Sequence, residues 1–224
     1  MKFSKYFWII IFSISLSAFF NSCGGNDEQM NYLAVKVTGD NNWSILITND
    51  GTLKFRNKFK HRPSEVENSR FIVQNKKGYL DIWDVNDEEK PYKSEHYTQI
   101  GRFFSSDVTF AVKEGCAISI VDKDYDEITT LPASITMTCS FSEGLAAFCD
   151  NGKWGFINDS GKTVITAQFE SATVFENGIA SVVLNGQWII IDHNGQKVGT
   201  DVFQDIRRTN WSETFYSESN QQPK

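Results

Sequence analysis

The chain has 224 residues, 40% hydrophobic and 14% aromatic, with a formal net charge of −6. This is enough apolar material for one globular core and too little net charge for a disordered chain. An acidic domain has no electrostatic footprint for nucleic acid, so that partner class is excluded.

At the N-terminus, Lys2 and Lys5 precede an apolar run over residues 6–20, interrupted by Ser13, Ser15 and Ser17. The run is shorter than the roughly 20 apolar residues of a membrane span and reads as a targeting segment. Ser22 and Cys23 close it, followed by Gly24. This resembles a bacterial lipoprotein signal, in which the cysteine becomes the new N-terminus and carries lipid. Phe20 and Asn21 depart from the usual Leu-plus-small pattern, and relaxed boxes of this kind resemble those of Bacteroidetes lipoproteins. The resemblance implies a signal peptide over 1–22, lipid on Cys23, a polar tether over 23–30 and a membrane held through that lipid. Removing Lys2 and Lys5 with the leader takes away two positive charges and leaves −8. Gly24, where an Asp would retain the protein at the inner membrane, implies an outer-membrane lipoprotein. Asn26, Asp27 and Glu28 resemble an acidic surface-export tag, so the expected orientation is periplasmic or cell-surface facing.

Residues 54–62 form the longest basic stretch and read as a solvated loop or sheet edge. Cys116, Cys139 and Cys149 are an odd set with no metal-ligand spacing. They read as small buried residues, with Cys139–Cys149 the pair to test for a disulfide.

A period organises residues 31–212. Trp43, Leu80, Ile118, Trp154 and Trp188 head five segments spaced 37, 38, 36 and 34 apart. Each follows one short apolar run and opens another, and self-similarity at such a period marks stacked supersecondary units. Asn151-Gly152 and Asn185-Gly186 join the two runs in the clearest copies, which predicts two-residue hairpins. A second turn and a third strand follow, as at residues 163–166, so one unit reads as a three-stranded meander with a returning loop. The third copy needs a one-residue slip, because Gly115 lies three before Ile118. Along residues 153–157, Trp154 and Phe156 point one way, Gly155 and Ile157 the other. Gly155 leaves room for a neighbouring backbone. Phe203 echoes Phe169, as though a further copy starts, and residues 213–224 read as a flexible tail.

The run Phe141, Glu143, Gly144, Leu145, then Gly152, Lys153, Trp154, Gly155, Phe156, Ile157, then Gly161-Lys162 resembles the WG, or KWG, repeat family. The fifth copy matches with Gln187 for Lys and Ile189 for the second Gly, and the first three keep spacing more than identity. The resemblance implies an all-β fold of tandem WG-type β-meander repeats, either a propeller-like ring or an open curved array. It assigns structural repeat roles to Trp43, Leu80, Ile118, Trp154, Gly155 and Trp188, and no single activity.

Chemistry-bearing residues are sparse. Asp84, Asp122, Asn158 and Asp192 share one repeat position and read as turn caps rather than ion ligands. Asp122, Asp124 and Asp126 open like a calcium loop, but Glu127 and Ala133 stand where Gly and Glu are required. His61, His96 and His193 read as exposed turn residues. Glu143 and Glu176, before glycines in successive copies, could pair for acid–base catalysis, but Glu143 fits the family's repeating Glu-Gly and reads as structural. No nucleophile motif or phosphate loop occurs, so no catalytic residue, metal or cofactor is expected. The expected function is a non-enzymatic, lipid-anchored envelope module that binds a protein or glycan. An envelope glycan-processing enzyme using rim carboxylates, or a structural subunit of an envelope assembly, are the alternatives. Variable loops over 54–68 and 84–99 are the expected seat of specificity.

Overall fold

The computed structural model describes residues 31–103, 106–204 and, for backbone alone, 214–216. The leader, Cys23 and the tether lie outside the described residues. Every described element is a strand. The first copy supplies β1 (Tyr32–Val35), β2 (Trp43–Ile47) and β3 (Leu53–Phe59). The second supplies β4 (Arg70–Gln74), β5 (Leu80–Asp84) and β6 (Lys93–Ile100). The third supplies β7 (Val108–Lys113), β8 (Ile118–Asp122) and β9 (Glu127–Thr130). In the fourth, β10 (Ile135–Cys139) precedes β11 (Leu145–Asp150), β12 (Lys153–Asn158) and β13 (Thr163–Phe169). In the fifth, β14 (Ser171–Ala172) precedes β15 (Ala180–Leu184) and β16 (Gln187–Ile191). Within the expected tail, the backbone of β17 (Thr214–Tyr216) pairs antiparallel with β10.

One register recurs in all five hairpins. Ala34 faces Ile45, Ile72 faces Ile82, Phe110 faces Ile120, Ala147 faces Phe156 and Ser181 faces Ile190. The five period-marking residues stand two places before the second member of each pair. Asn151 and Gly152 have φ of 48° and 77°, and Asn185 and Gly186 53° and 72°, the paired positive φ of the tight hairpin turn. The third copy keeps Val112 opposite Ile118 and absorbs its slip in a longer link over residues 114–117.

The third strand closes back on the period-marking residue. Trp43 faces Phe59, Leu80 faces Tyr97 and Trp154 faces Phe169. Leu131 N–H donates to the Ile118 carbonyl (2.8 Å), and Phe203 bridges to Trp188. Phe203 thus completes the fifth copy. A bulge interrupts the second–third strand pairing in each of the first four copies.

The returning chain runs alongside the next hairpin. Ser64 N–H donates to the Ile72 carbonyl (2.9 Å), so the chain after β3 lies beside β4. Strand β6 pairs with both β5 and β7, fusing copies two and three into one six-stranded sheet. β10 lies against β11, and β14 against β15. The hairpin of each copy after the first is therefore flanked by chain returning from the copy before it, while the first copy is a three-stranded sheet of its own. The flanking chain covers an edge that would otherwise expose a row of unpaired backbone groups. Two of the expected loops, 54–68 and 84–99, are corrected accordingly. They contain β3 and most of β6, because Phe55, Phe59 and Tyr97 on them are buried core residues. β3 is a sheet edge carrying Lys54, Arg56 and Lys58, as the basic stretch predicts.

Four hydrophobic clusters hold the sheets together, one at each junction between successive copies. Ile45, Phe55 and Phe59 of the first copy pack on Phe71, Val73 and Trp83 of the second. Ile82 and Tyr97 pack on Ala111, Val121 and Tyr125. Phe110, Ile118 and Ile120 pack on Phe141, Ala146, Phe148 and Ile157. Leu145, Ala147, Phe156, Ile165 and Phe169 pack on Phe175, Ala180, Val182 and Ile191. Each of the three inner copies thus has one face toward the preceding copy and one toward the following copy, which is why its strands are apolar on both sides.

Candidate functional site

The residues singled out by the period sit at the margins of the clusters. Trp43 and Trp154 are half-buried and pack against the first and last clusters, while Trp188 is half-buried. Leu80 is also half-buried, and Ile118 is fully buried. The deepest position is two residues on: Ile45, Ile82, Ile120 and Phe156 have no exposed surface. A Cβ on Gly155 would stand 2.5 Å from the Ile165 carbonyl oxygen and 2.7 Å from the Ala167 nitrogen, where the bulged β13 crosses the strand. In other copies the same position bonds to the third strand. Ser44 Oγ accepts from Asn57 N–H (2.9 Å), Asp81 accepts from Ser94 Oγ (2.6 Å), and Ser119 Oγ donates to Glu127 (2.9 Å).

Asp84, Asp122, Asn158 and Asp192 cap turns. Asp122 Oδ1 accepts from the N–H groups of Asp124 and Asp126, and Asp192 Oδ1 from those of Asn194 and Gln196. The backbone bond from Gln196 leads the causes holding the Asp192 carboxyl below its ordinary range. Asp84 and Asn158 accept from Asn86 and Lys162 N–H in the same way. Asp124 pairs with Arg70 (3.2 Å) and Asp126 with Lys93 (2.6 Å), so the acidic turn is matched by basic side chains of the same protein at its surface. No group of three or more His, Cys, Asp or Glu is placed to hold a metal ion among the described residues.

His96 stacks on Tyr79 with ring centres 4.6 Å apart. His193 is tied into the last junction. It stacks on the buried Phe175 at 4.4 Å, and its Nε2 lies 3.1 Å from Glu143. Glu143 also accepts from Gly178 N–H (3.0 Å), and Ser142 Oγ donates to the Phe175 carbonyl (2.7 Å). The Glu of the fourth copy thus clamps the fifth. The separation of 50 residues hid this pair in the sequence.

One charged cleft lies on the six-stranded sheet, with a volume of about 100 Å³. Substrate pockets run to about 300–1,000 Å³. Lys93 pairs with Asp126, Lys113 with Glu95 at 2.6 Å, and Glu127 accepts from Ser119 and Thr130. The Lys113 hydrogen bond holds the Glu95 carboxyl below its usual range, and Glu95 in turn raises Lys113. Burial, reinforced by Glu95, pushes the Tyr97 hydroxyl up, and burial does the same to Tyr125. Tyr125 (φ 57°) occupies the turn position that Gly161 and Gly195 hold in later copies, and it fills the junction between copies two and three.

A second feature lies on the outside of the third strands. Lys93, Thr129 and Ile165 are equivalent, facing Ile82, Ile120 and Phe156. Immediately before them stand Tyr92, Ile128 and Val164. Val198 follows Lys197, which faces Ile191 as Thr163 faces Ile157, and so holds the same position. All four side chains are exposed, by 42% to 46%. In the first copy Lys54 faces Ile45, and the residue before it, Leu53, is half-buried.

Cys116 is exposed, and Cys139 and Cys149 are buried. Across β10 and β11, Cys149 faces Met137.

Comparison with known proteins agrees with this architecture at its clearest point. The WG containing repeat model matches residues 140–154 and 154–188. No curated protein matches the chain. Among solved structures, Hsv2 of Kluyveromyces lactis is similar at 15% identity, with 76% of this chain and 60% of that one covered and a TM-score of 0.41. BamB from Moraxella catarrhalis aligns at 12% identity over 75% of this chain and 57% of that one, with a TM-score of 0.39. PorZ, a bacterial surface component of the type-IX secretion system of Porphyromonas gingivalis, aligns at 13% identity over 75% of this chain and 24% of that one, with a TM-score of 0.38. The chain spans less than two thirds of the length of each. Residues 140–188 are WG containing repeat sequence, and the common register extends the same all-β unit across the other copies.

Proposed function

We propose that the protein is a non-enzymatic binding module whose repeats present a row of apolar side chains to another protein, held at the cell envelope by lipid on Cys23. The observation that carries this reading is the recurrence of Tyr92, Ile128, Val164 and Val198 at one repeat position, all solvent-facing. Scattered surface apolar residues need no explanation, but the same position exposed in four successive copies is an ordered surface. Three of the four are aliphatic, and sugar rings stack on flat aromatic faces, so a protein partner fits better than a glycan. The paired charges and small volume of the cleft on the six-stranded sheet support binding over catalysis. The envelope placement rests on the basic start, the apolar run and Ser22-Cys23.

Two measurements test this. Cross-linked complexes recovered from intact envelopes should lose their main partner when Ile128 and Val164 are both changed to Ser. Retention of the same partner by that variant would remove the row from the reading. Cys23→Ala should release the protein from membranes, and continued membrane fractionation would refute the lipid anchor.

A further inference from the structure

The four junctions share one design, and the design leaves two faces over. In the fourth copy, Leu145, Phe156 and Phe169 point to the following copy and are covered by the fifth. Their register equivalents in the fifth copy are Ile179, Ile190 and Phe203. Here no described residue provides that cover. Ile179 is 37% exposed against 7% for Leu145, and Phe203 39% against 2% for Phe169. Ile190 is half-buried where Phe156 is fully enclosed.

The first copy shows the converse. Ala180, Val182 and Ile191 of the fifth copy are the residues that cover the fourth. Their equivalents in the first copy are Leu33, Val35 and Leu46, since Leu33 faces Leu46 as Ala180 faces Ile191. Leu33 is 44% exposed, and Val35 and Leu46 are half-buried. Among the described residues, the two end faces are thus the two halves of a junction that the molecule already builds four times.

We infer that the face of Ile179, Ile190 and Phe203 docks the face of Leu33, Val35 and Leu46 of a second copy of this chain, head to tail. The occupant is fixed by complementarity. The face that follows each sheet in this protein is always a preceding-type face of the same unit, and the chain carries one such face uncovered. The contact is heterologous, so each chain keeps one free face and further chains add unless the rotation closes a ring. Repeat arrays with apolar end faces require a cap, and here the neighbouring molecule provides it.

The test uses the full chain in nonionic detergent, with mass followed by analytical ultracentrifugation over a concentration series. The wild type should grow in mass with concentration. Leu33→Asp and Phe203→Asp, each with an unchanged circular dichroism spectrum, should each stay monomeric, because one face is blocked in every molecule. Mixing the two variants should restore one-to-one dimers, since each still carries the face that the other lacks. A wild type that stays monomeric throughout, including one that closes on itself, would overturn the proposal. So would association that survives either substitution, or a mixture that stays monomeric.

Discussion

At the scale of single residues, Gly155 and Phe156 explain why the fourth copy keeps its Trp-Gly pair. The bulge of β13 brings a carbonyl oxygen to 2.5 Å from where a Cβ would stand, so no side chain fits without backbone movement. Gly155→Ala should cost about 1–3 kcal/mol or more, as overpacking against rigid backbone does, measured by urea unfolding. A variant as stable as wild type would mean that the bulge relaxes freely. Phe156 is fully enclosed, whereas Trp154 is half-buried. Phe156→Ala should therefore cost about 3–5 kcal/mol, and Trp154→Ala less. The opposite order would place the core centre at the indole. The sequence made Trp the obvious marker because its identity repeats. The deeper position carries Ile45, Ile82, Ile120, Phe156 and Ile190, and Ile recurs so often in the apolar runs that only the register singles it out.

Among elements, hairpins were the legible part. Period, Asn-Gly turns and alternating faces placed the first two strands of every copy, because those signals are local. The third strands of the first two copies were less legible. Residues 54–62 and 93–100 are rich in charge and look like loops, yet Phe55, Phe59 and Tyr97 are buried within them. Their bulges break the period-2 pattern that would have marked them. The Glu95–Lys113 pair fastens one such strand, β6, to β7. Because the Glu95 carboxyl is depressed in the folded state, its contribution is present above the ordinary glutamate range and lost as pH falls through the depressed value. Lys113 is raised, so its contribution is present below the ordinary lysine range and lost as pH rises through the raised value. Glu95→Gln should be less stable than wild type at neutral pH, by a small margin because the pair is solvent-exposed. The margin should close in acid, followed as urea midpoints across the carboxylate range. A margin unchanged in acid would detach the effect from the Glu95 charge.

For the whole molecule, the repeat separates structure from surface. Its conserved-looking letters, the Trp, Gly and Asn-Gly residues, are accounted for by packing and turns, and the Asp caps by backbone bonds. The exposed row escaped the sequence reading because Ile and Val in strands normally point inward, whereas bulges at Ile128 and Val164 turn these two out, and Tyr92 and Val198 stand outside the strands. The clamp of Glu143 on His193 and Gly178 escaped it because the partners belong to different copies. The central claim is that this row meets a protein. It is tested most directly by placing a photo-cross-linking amino acid at Val164 in the living cell, with Thr166, exposed on the same strand, as the control. Irradiation should give a discrete protein adduct from position 164 and little from position 166. Equal labelling at both positions, or no protein adduct at Val164, would contradict it.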